Sequence, residues 1–125
     1  MRLTIAVLTL LLLAGCGNDK PKGDIVAQDA RAKAAARELA TYVETCFTEQ
    51  QDYSVCVGDD AFRNANLPLG TGPGQVDATG ATTSSYTIVA HSLSGNTYTL
   101  KRTDAGTVRT CKASKGSAAC VKGHW

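Results

Sequence analysis

The sequence has little charge of either sign and few aromatic residues. Of its 125 residues, 19% are charged and 6% are aromatic, and the formal net charge is only +2. This small charge argues against a nucleic-acid partner, because proteins that bind nucleic acid carry strongly basic faces. The 43% of hydrophobic residues is enough for a packed core, which excludes a disordered chain. The length predicts one domain with a single core.

The longest hydrophobic run is too short to be a permanent membrane span. Residues 3–14 are apolar except for Thr4 and Thr9, and Arg2 precedes them. A helix of this length spans about 18 Å, whereas the hydrocarbon core of a bilayer is about 30 Å thick. The run therefore predicts the apolar part of a cleaved secretory signal peptide.

The end of this run, Leu13-Ala14-Gly15-Cys16, resembles the lipobox of bacterial lipoproteins. The resemblance implies that residues 1–15 are removed as a signal peptide and that the thiol of Cys16 carries a diacylglyceryl group. It therefore implies that the protein contacts the membrane through acyl chains on Cys16. Two chains anchor a protein stably, whereas one holds it only marginally. The expected location is the cell envelope, with the domain on the extracytoplasmic side.

The residues after Cys16 predict a short tether. Residues 17–23 are polar and rich in turn-forming types. Seven residues extend over roughly 25 Å at most, so the folded part is expected close to the membrane surface. The predicted organisation is a signal peptide over 1–15, a lipidated cysteine and tether over 16–23, and a globular domain over 24–125.

A long helix is predicted from residue 25 to about residue 51, where the chain has neither proline nor glycine. Hydrophobic residues recur there in steps of three and four, which is typical of one buried helix face. Asp24 or Asp29 is expected to be the N-cap. The apolar positions are Ala32, Ala35, Leu39, Tyr42, Val43, Cys46 and Phe47.

The last forty residues alternate between apolar and polar side chains, which predicts an antiparallel meander. One strand begins at Tyr86, a second covers residues 97–102, and a third covers residues 107–112 with Val108 as its apolar member. Residues 75–78 are expected to add an edge strand. The inner positions, Tyr86, Ile88, Ala90, Tyr98 and Leu100, need a cover that only the helix provides. The predicted fold class is α+β, a long N-terminal helix packed on a small antiparallel β-sheet.

Four cysteines remain once Cys16 is assigned to the lipid: Cys46, Cys56, Cys111 and Cys120. An exported chain meets an oxidising compartment, so two disulfides are expected in one of three connectivities. Local pairs, Cys46–Cys56 and Cys111–Cys120, are favoured because the helix and the meander bring each pair together. Each would contribute about 3 kcal/mol by loop entropy, which does not itself choose between the connectivities. The wide spacings argue against a zinc site.

The sequence offers no arrangement typical of catalysis, so neither an enzyme nor a cofactor is expected. His91 is expected to face solvent from a strand, and His124 lies in the tail. The adjacent Asp59 and Asp60 are a conceivable cation site, although such a pair is more often solvated. The glycine-rich loop over residues 67–74 lacks the Lys-Ser/Thr ending of a P-loop, so nucleotide binding has no support.

Three stretches resemble the globular domains of bacterial type IV pilin-like proteins. They are residues 43–56, with Tyr53 and Cys56; the hairpin over residues 86–100; and residues 106–125, with Cys111, Cys120 and Trp125. The resemblance covers roughly residues 29–125. It implies a helix followed by a sheet, with the C-terminal cysteine pair fastening the last strand to the tail. The chain departs from the family where pilins have a prepilin-peptidase site and a long apolar helix, so assembly into a pilus is not implied.

These features predict a lipid-anchored cell-envelope protein with a structural, adhesive or accessory interaction role and protein partners at the cell surface. The alternative is a surface or periplasmic lipoprotein that binds a small ligand or peptide on its sheet face or at residues 70–74. An interaction protein should expose an apolar patch, for which residues 30–36 are the candidate. A ligand-binding protein should instead have a concave pocket with convergent polar groups.

Overall fold

The structure, a computed structural model, describes residues 24–58, 60–113 and 119–125. The predicted signal peptide, Cys16 and the tether lie outside these residues. The elements are helix α1 (Ile25–Gln50), a 3-10 turn (Tyr53–Val55), and strands β1 (Val76–Thr79), β2 (Tyr86–His91), β3 (Thr97–Thr103) and β4 (Gly106–Lys112). The strands form one antiparallel sheet in the order β1-β2-β3-β4. One long helix packed on this sheet confirms the predicted α+β fold.

Helix α1 begins and ends close to the predicted positions. Asp24 is the N-cap, because its side chain accepts a hydrogen bond of 3.0 Å from the amide of Ala27. Asp29, the other candidate, lies inside the helix and is completely buried. The helix ends at Gln51, which adopts a left-handed conformation with φ 55° and donates its amide to the carbonyl of Phe47.

The buried face of α1 is a stripe at the helical period: Ala32, Ala36, Leu39 and Val43. The predicted Ala35 lies beside this stripe and is only partly buried, as are Tyr42, Cys46 and Phe47. The helix packs against β1, β2 and β3. Its stripe meets the inner side chains of these strands and forms a single core.

The sheet register places the predicted residues on the inner face. Tyr86, Ile88 and Ala90 of β2 lie opposite Arg102, Leu100 and Tyr98 of β3. On β4 the inner positions are Thr107, Arg109 and Cys111, which lie opposite the same β3 residues. Val108, the apolar member of β4, points to the outer face and is 54% exposed. On the inner side of β4, Thr107 and Arg109 are polar and exposed, whereas Cys111 is buried and belongs to the core.

The glycine-rich loop before β1 covers the start of that strand's outer edge, at Val76. The amide of Val76 donates to the carbonyl of Pro68, and the amide of Gly70 donates to the carbonyl of Val76, both at 2.9 Å. Gly70 has a φ of 139°, and an added Cβ would lie 2.6 Å from the side-chain oxygen of Gln75. The positive φ favours a glycine there, whereas the close contact is with the flexible end of the Gln75 side chain, which could move aside. The predicted edge strand is present, shifted by one residue to Val76–Thr79.

Both local disulfides are present, as predicted. Cys46–Cys56 joins the last turns of α1 to the 3-10 turn, and Cys111–Cys120 joins β4 to the C-terminal segment. That segment, residues 119–125, runs beside β4, where the amide of Cys111 donates to the carbonyl of Gly123 at 2.9 Å. Within the described ranges, no helix combines the length and the hydropathy that a membrane span requires.

Candidate functional site

An open groove of about 620 Å³ lies between α1 and the last two strands. We call it the arginine groove, and its charged and hydroxyl-bearing walls are Arg37, Thr41 and Glu44 on α1 and Arg102, Thr107 and Arg109 on the strands. The groove exists because α1 packs over β1 to β3, so the inner side chains in the first half of β4, Thr107 and Arg109, are exposed beside the helix. Its floor includes Tyr86 and Leu100, which belong to the core.

A carboxylate is held at one end of the arginine groove by two tyrosines. The hydroxyls of Tyr53 and Tyr86 donate to Glu44 at 2.9 and 2.8 Å, and the Nε atom of Arg102 lies 4.0 Å from the same carboxylate. The ring of Tyr53 packs against that of Tyr86, with their centroids 4.8 Å apart. This cluster joins α1, the 3-10 turn, β2 and β3, so it fixes the width of the groove at this end.

The two tyrosines are protonated donors and cannot act as bases near neutral pH. Burial raises the pKa of Tyr86 well above 10.0, and the hydrogen bond to Glu44 and its negative charge raise it further. Burial likewise raises the pKa of Tyr53, with the hydrogen bond to Glu44 as the second cause. The cluster therefore positions Glu44 and has no feature of an acid–base pair.

Trp125 packs against two of the arginines that line the arginine groove. The guanidinium groups of Arg37 and Arg109 lie over its ring, 5.7 Å and 5.3 Å from the ring centroid. It packs edge-on against Tyr98 at 5.8 Å, and its Nε1 donates to the carbonyl of Thr99 at 3.2 Å. The C-terminal segment thus holds two of the three arginines of the groove in place.

The charge of the arginine groove is strongly one-sided. Its lining contains three arginines and one carboxylate, and that carboxylate already accepts two hydrogen bonds from tyrosines. The groove therefore has the same net charge as the whole chain, which is +2. Such a surface attracts anionic groups, and guanidinium groups bind carboxylates through paired hydrogen bonds.

A second, smaller cleft lies beside the first half of α1. We call it the alanine cleft; its volume is about 310 Å³, and Ala32 and Ala35 face Pro68, Gly74 and Leu93 across it. The predicted apolar patch over residues 30–36 and the loop over residues 70–74 therefore meet at one place. The polar side chains around the cleft are Gln28, Arg31, Glu38, Gln75, His91 and Ser92.

Asp29 fixes the turn beside this cleft. Its carboxylate is completely buried and accepts hydrogen bonds from the hydroxyl of Ser94 at 2.6 Å and from the side-chain amide of Asn96 at 2.9 Å. The turn between β2 and β3 is thereby joined to the first turns of α1. The prediction of Asp29 as an N-cap is wrong, because Asp29 lies inside the helix, three residues before Ala32 on the buried stripe.

The residues singled out from the sequence do not form a common site. His91 is half-buried at the alanine cleft, whereas His124 lies beside β4, with Nδ1 3.1 Å from the carbonyl oxygen of Arg109. Asp60 forms an exposed ion pair with Arg63, and Asp59 lies outside the described residues. In the described part of the chain, no group of three or more His, Cys, Asp or Glu residues is placed to hold a metal ion.

The arginines of the groove were missed by sequence reasoning. The signal was present, because counting back from Cys111 in steps of two places Arg109 and Thr107 on the inner face of β4. Chemically, the groove offers positive charge and hydroxyl groups for binding. No protein-family model, curated protein or solved structure matches this chain, so its function is argued from this geometry and from the sequence.

Proposed function

We propose that this protein is a lipid-anchored cell-envelope protein whose pilin-like domain contacts other proteins in an accessory or adhesive role. The observation that carries the proposal is the arginine groove, an open and positively charged surface on a domain fastened by two disulfides. Disulfides are typical of compartments outside the cytosol, which agrees with export. The lipobox-like sequence ending at Cys16 supplies the anchor in this proposal.

The order of elements supports the pilin-like part of the proposal. A long helix comes first, an antiparallel meander follows, and the disulfide Cys111–Cys120 joins the last strand to the tail. This is the arrangement that the resemblance implies for the domain. The arginine groove lies at the end of the meander, so a partner would contact β4 and the exposed side of α1.

The experiment is the intact mass of the protein extracted from membranes, before and after reduction. We expect residues 1–15 to be absent, a diacylglyceryl group to be present on Cys16, and the mass to increase by four hydrogen atoms when both disulfides are reduced. The Cys16→Ala variant should leave the membrane fraction. An unacylated product that keeps residues 1–15, or a Cys16→Ala variant that stays in the membrane, would contradict the anchor.

A second candidate function is binding of a small ligand or peptide side chain, and the alanine cleft favours it. Its volume of about 310 Å³ is at the lower end of small-molecule sites, and it combines apolar walls with several polar side chains. Copurification distinguishes the two functions. A protein partner recovered from the native envelope supports the first, whereas a tightly bound small molecule without a protein partner supports the second.

A further inference from the structure

Within residues 24–58, 60–113 and 119–125, nothing pairs with the outer edge of the first half of β4, which lies beside the arginine groove. Alternate residues of a strand direct their backbone groups to opposite sides, and Cys111 and Arg109 direct theirs away from β3, toward Gly123 and His124. Thr107 has the same parity, so its amide and carbonyl also point outward. No described residue forms a backbone hydrogen bond with the outward groups of Thr107 or with the amide of Arg109.

The other edge of the sheet is covered only at the start of β1, because no described residue forms a backbone hydrogen bond with the outward groups of Ala78. The edge of β4 differs from it because it lies beside the arginine groove. On β1 the outward amide and carbonyl of Val76 both pair with the glycine-rich loop, at Pro68 and Gly70. On β4 the C-terminal segment covers the second half of the strand and reaches the carbonyl of Arg109, but it does not pair with Gly106–Val108. Unpaired strand edges are sites where another extended chain adds through main-chain hydrogen bonds.

An extended chain added to this edge would place alternate side chains over the arginine groove. Its inner side chains would lie level with Thr107 and Arg109, the inner residues of β4, because side chains alternate between the two faces of a sheet. On that face they would meet Arg109 and Arg102, with Arg37 across the groove on α1. Acidic side chains at every second position match this surface. An isolated anion could accept from the outward amide of Thr107 but could not pair with its carbonyl, whereas an extended chain uses both.

We propose that the arginine groove and the free edge of β4 together bind an extended acidic peptide segment, which adds as a short strand with Asp or Glu at alternate positions. The backbone pairing holds the segment, and the guanidinium groups select its acidic side chains. The inference rests on the proposed interaction function and gives the chemistry of the partner.

Trp125 reports directly on this site. It is the only tryptophan in the sequence, and it packs against Arg37 and Arg109, two of the three groove arginines. The experiment titrates the full-length, detergent-solubilised protein with a synthetic hexapeptide, blocked at both ends, in which Glu alternates with Thr or Val. We expect a saturable change in Trp125 fluorescence. Absence of any change, together with no heat of binding by calorimetry, would overturn the proposal.

Two modified peptides separate the parts of the proposal. Replacing each Glu by Gln should weaken binding by about tenfold or more, because charge-assisted hydrogen bonds are lost. Methylating the backbone nitrogens that face β4 should weaken it to a similar extent, because the strand cannot then pair. If the N-methylated peptide binds as tightly as the parent, the groove takes anions without strand addition and the proposal is wrong.

Matched variants of the protein test the same site. Arg102→Gln should weaken binding of the acidic peptide by about tenfold, whereas Lys101→Gln should leave it unchanged, because Lys101 lies opposite Val108 on the outer face. Thr107→Pro removes an outward amide without breaking the β3–β4 ladder and should also weaken binding. Thermal unfolding establishes that each variant is folded. Equal losses in the Arg102 and Lys101 variants would indicate nonspecific attraction and overturn the proposal.

The other partner that could pair with the edge of β4 is a second copy of this chain. Sedimentation of the full-length protein distinguishes it, because pairing of two β4 edges would give a dimer that Thr107→Pro abolishes and the acidic peptide displaces. That result would replace the peptide partner with self-association. The intact-mass experiment is independent of all these measurements, so failure of peptide binding leaves the lipid anchor to be judged separately.

Discussion

At the scale of single residues, Asp29 shows how one side chain joins two distant parts of the fold. Its buried carboxylate is one helical turn into α1, yet its hydrogen-bond donors, Ser94 and Asn96, come from the turn between β2 and β3. A buried carboxylate is tolerated only when its oxygens are hydrogen-bonded. The turn between β2 and β3 also places Leu93 at the alanine cleft.

Replacing Asp29 by alanine should lower the free energy of unfolding by about 2 kcal/mol, because the buried side-chain amide of Asn96 and the half-buried hydroxyl of Ser94 lose their acceptor. Urea unfolding followed by far-UV circular dichroism measures this loss. Glu49→Ala is the control, since Glu49 is an exposed acidic residue on the same helix. If the two variants lose equal stability, the buried hydrogen bonds of Asp29 contribute nothing specific.

Tyr86 leads to a prediction about pH. Tyr86→Phe removes a buried hydrogen bond to Glu44 and should cost about 1.5 kcal/mol at neutral pH. Because burial raises the pKa of folded Tyr86 above its unfolded value, this contribution is complete below about pH 10 and is lost as the pH rises further. The difference between the wild type and Tyr86→Phe should therefore shrink above that pH.

Urea unfolding at several pH values between neutral and alkaline tests this behaviour of Tyr86. Tyr42→Phe serves as the control, because Tyr42 is a half-buried tyrosine on α1. The prediction fails if the stability difference for Tyr86→Phe stays constant across the alkaline range. A spectrophotometric titration of the tyrosines should, in addition, lose one late-ionising group in that variant.

At the scale of elements, the local pattern of the sequence predicts most of what forms. The three-and-four spacing locates α1, and the alternation from Tyr86 onward locates β2 to β4, because each period reflects one buried face. The position of α1 over β1 to β3 is not a local property, since it depends on how the whole helix stripe meets the sheet. Sequence reasoning therefore found the elements but missed the groove beside β4.

The disulfide Cys111–Cys120 is expected to control the C-terminal segment as an element. Replacing both cysteines by serine should cost about 3 kcal/mol by loop entropy and should release Trp125 from Tyr98. Under native conditions the tryptophan fluorescence should shift to longer wavelength. An unchanged emission spectrum would mean that the segment docks without the disulfide.

The second disulfide provides a matched control for that experiment. Cys46–Cys56 spans 10 residues, and Cys111–Cys120 spans 9, so the entropic cost of removing either is similar. Replacing Cys46 and Cys56 by serine should lower the stability by a comparable amount while leaving the native emission of Trp125 unchanged. Only removal of Cys111–Cys120, the disulfide that joins β4 to the C-terminal segment, should shift the emission of Trp125.

At the scale of the whole molecule, the candidate site is a consequence of the architecture. Helix α1 packs on β1 to β3 of the four-stranded sheet, so part of the inner surface of the remaining strand stays open to solvent. Here that strand is β4, whose inner residues include Thr107 and Arg109. The sequence shows the arginines, but only the packed structure shows that they share a groove with Arg37 and Arg102.

The single core predicts that helix and sheet unfold together. Leu39 of α1 is completely buried among residues of both layers, so Leu39→Ala should lower the free energy of unfolding by about 3 kcal/mol. Circular dichroism reports on α1 and Trp125 fluorescence on the end of the sheet, and both midpoints should fall by the same amount. Val26→Ala, at a 64% exposed site on the same helix, should change stability by less than about 0.5 kcal/mol. Midpoints that separate in Leu39→Ala would show that the tail and β4 form an independent unfolding unit.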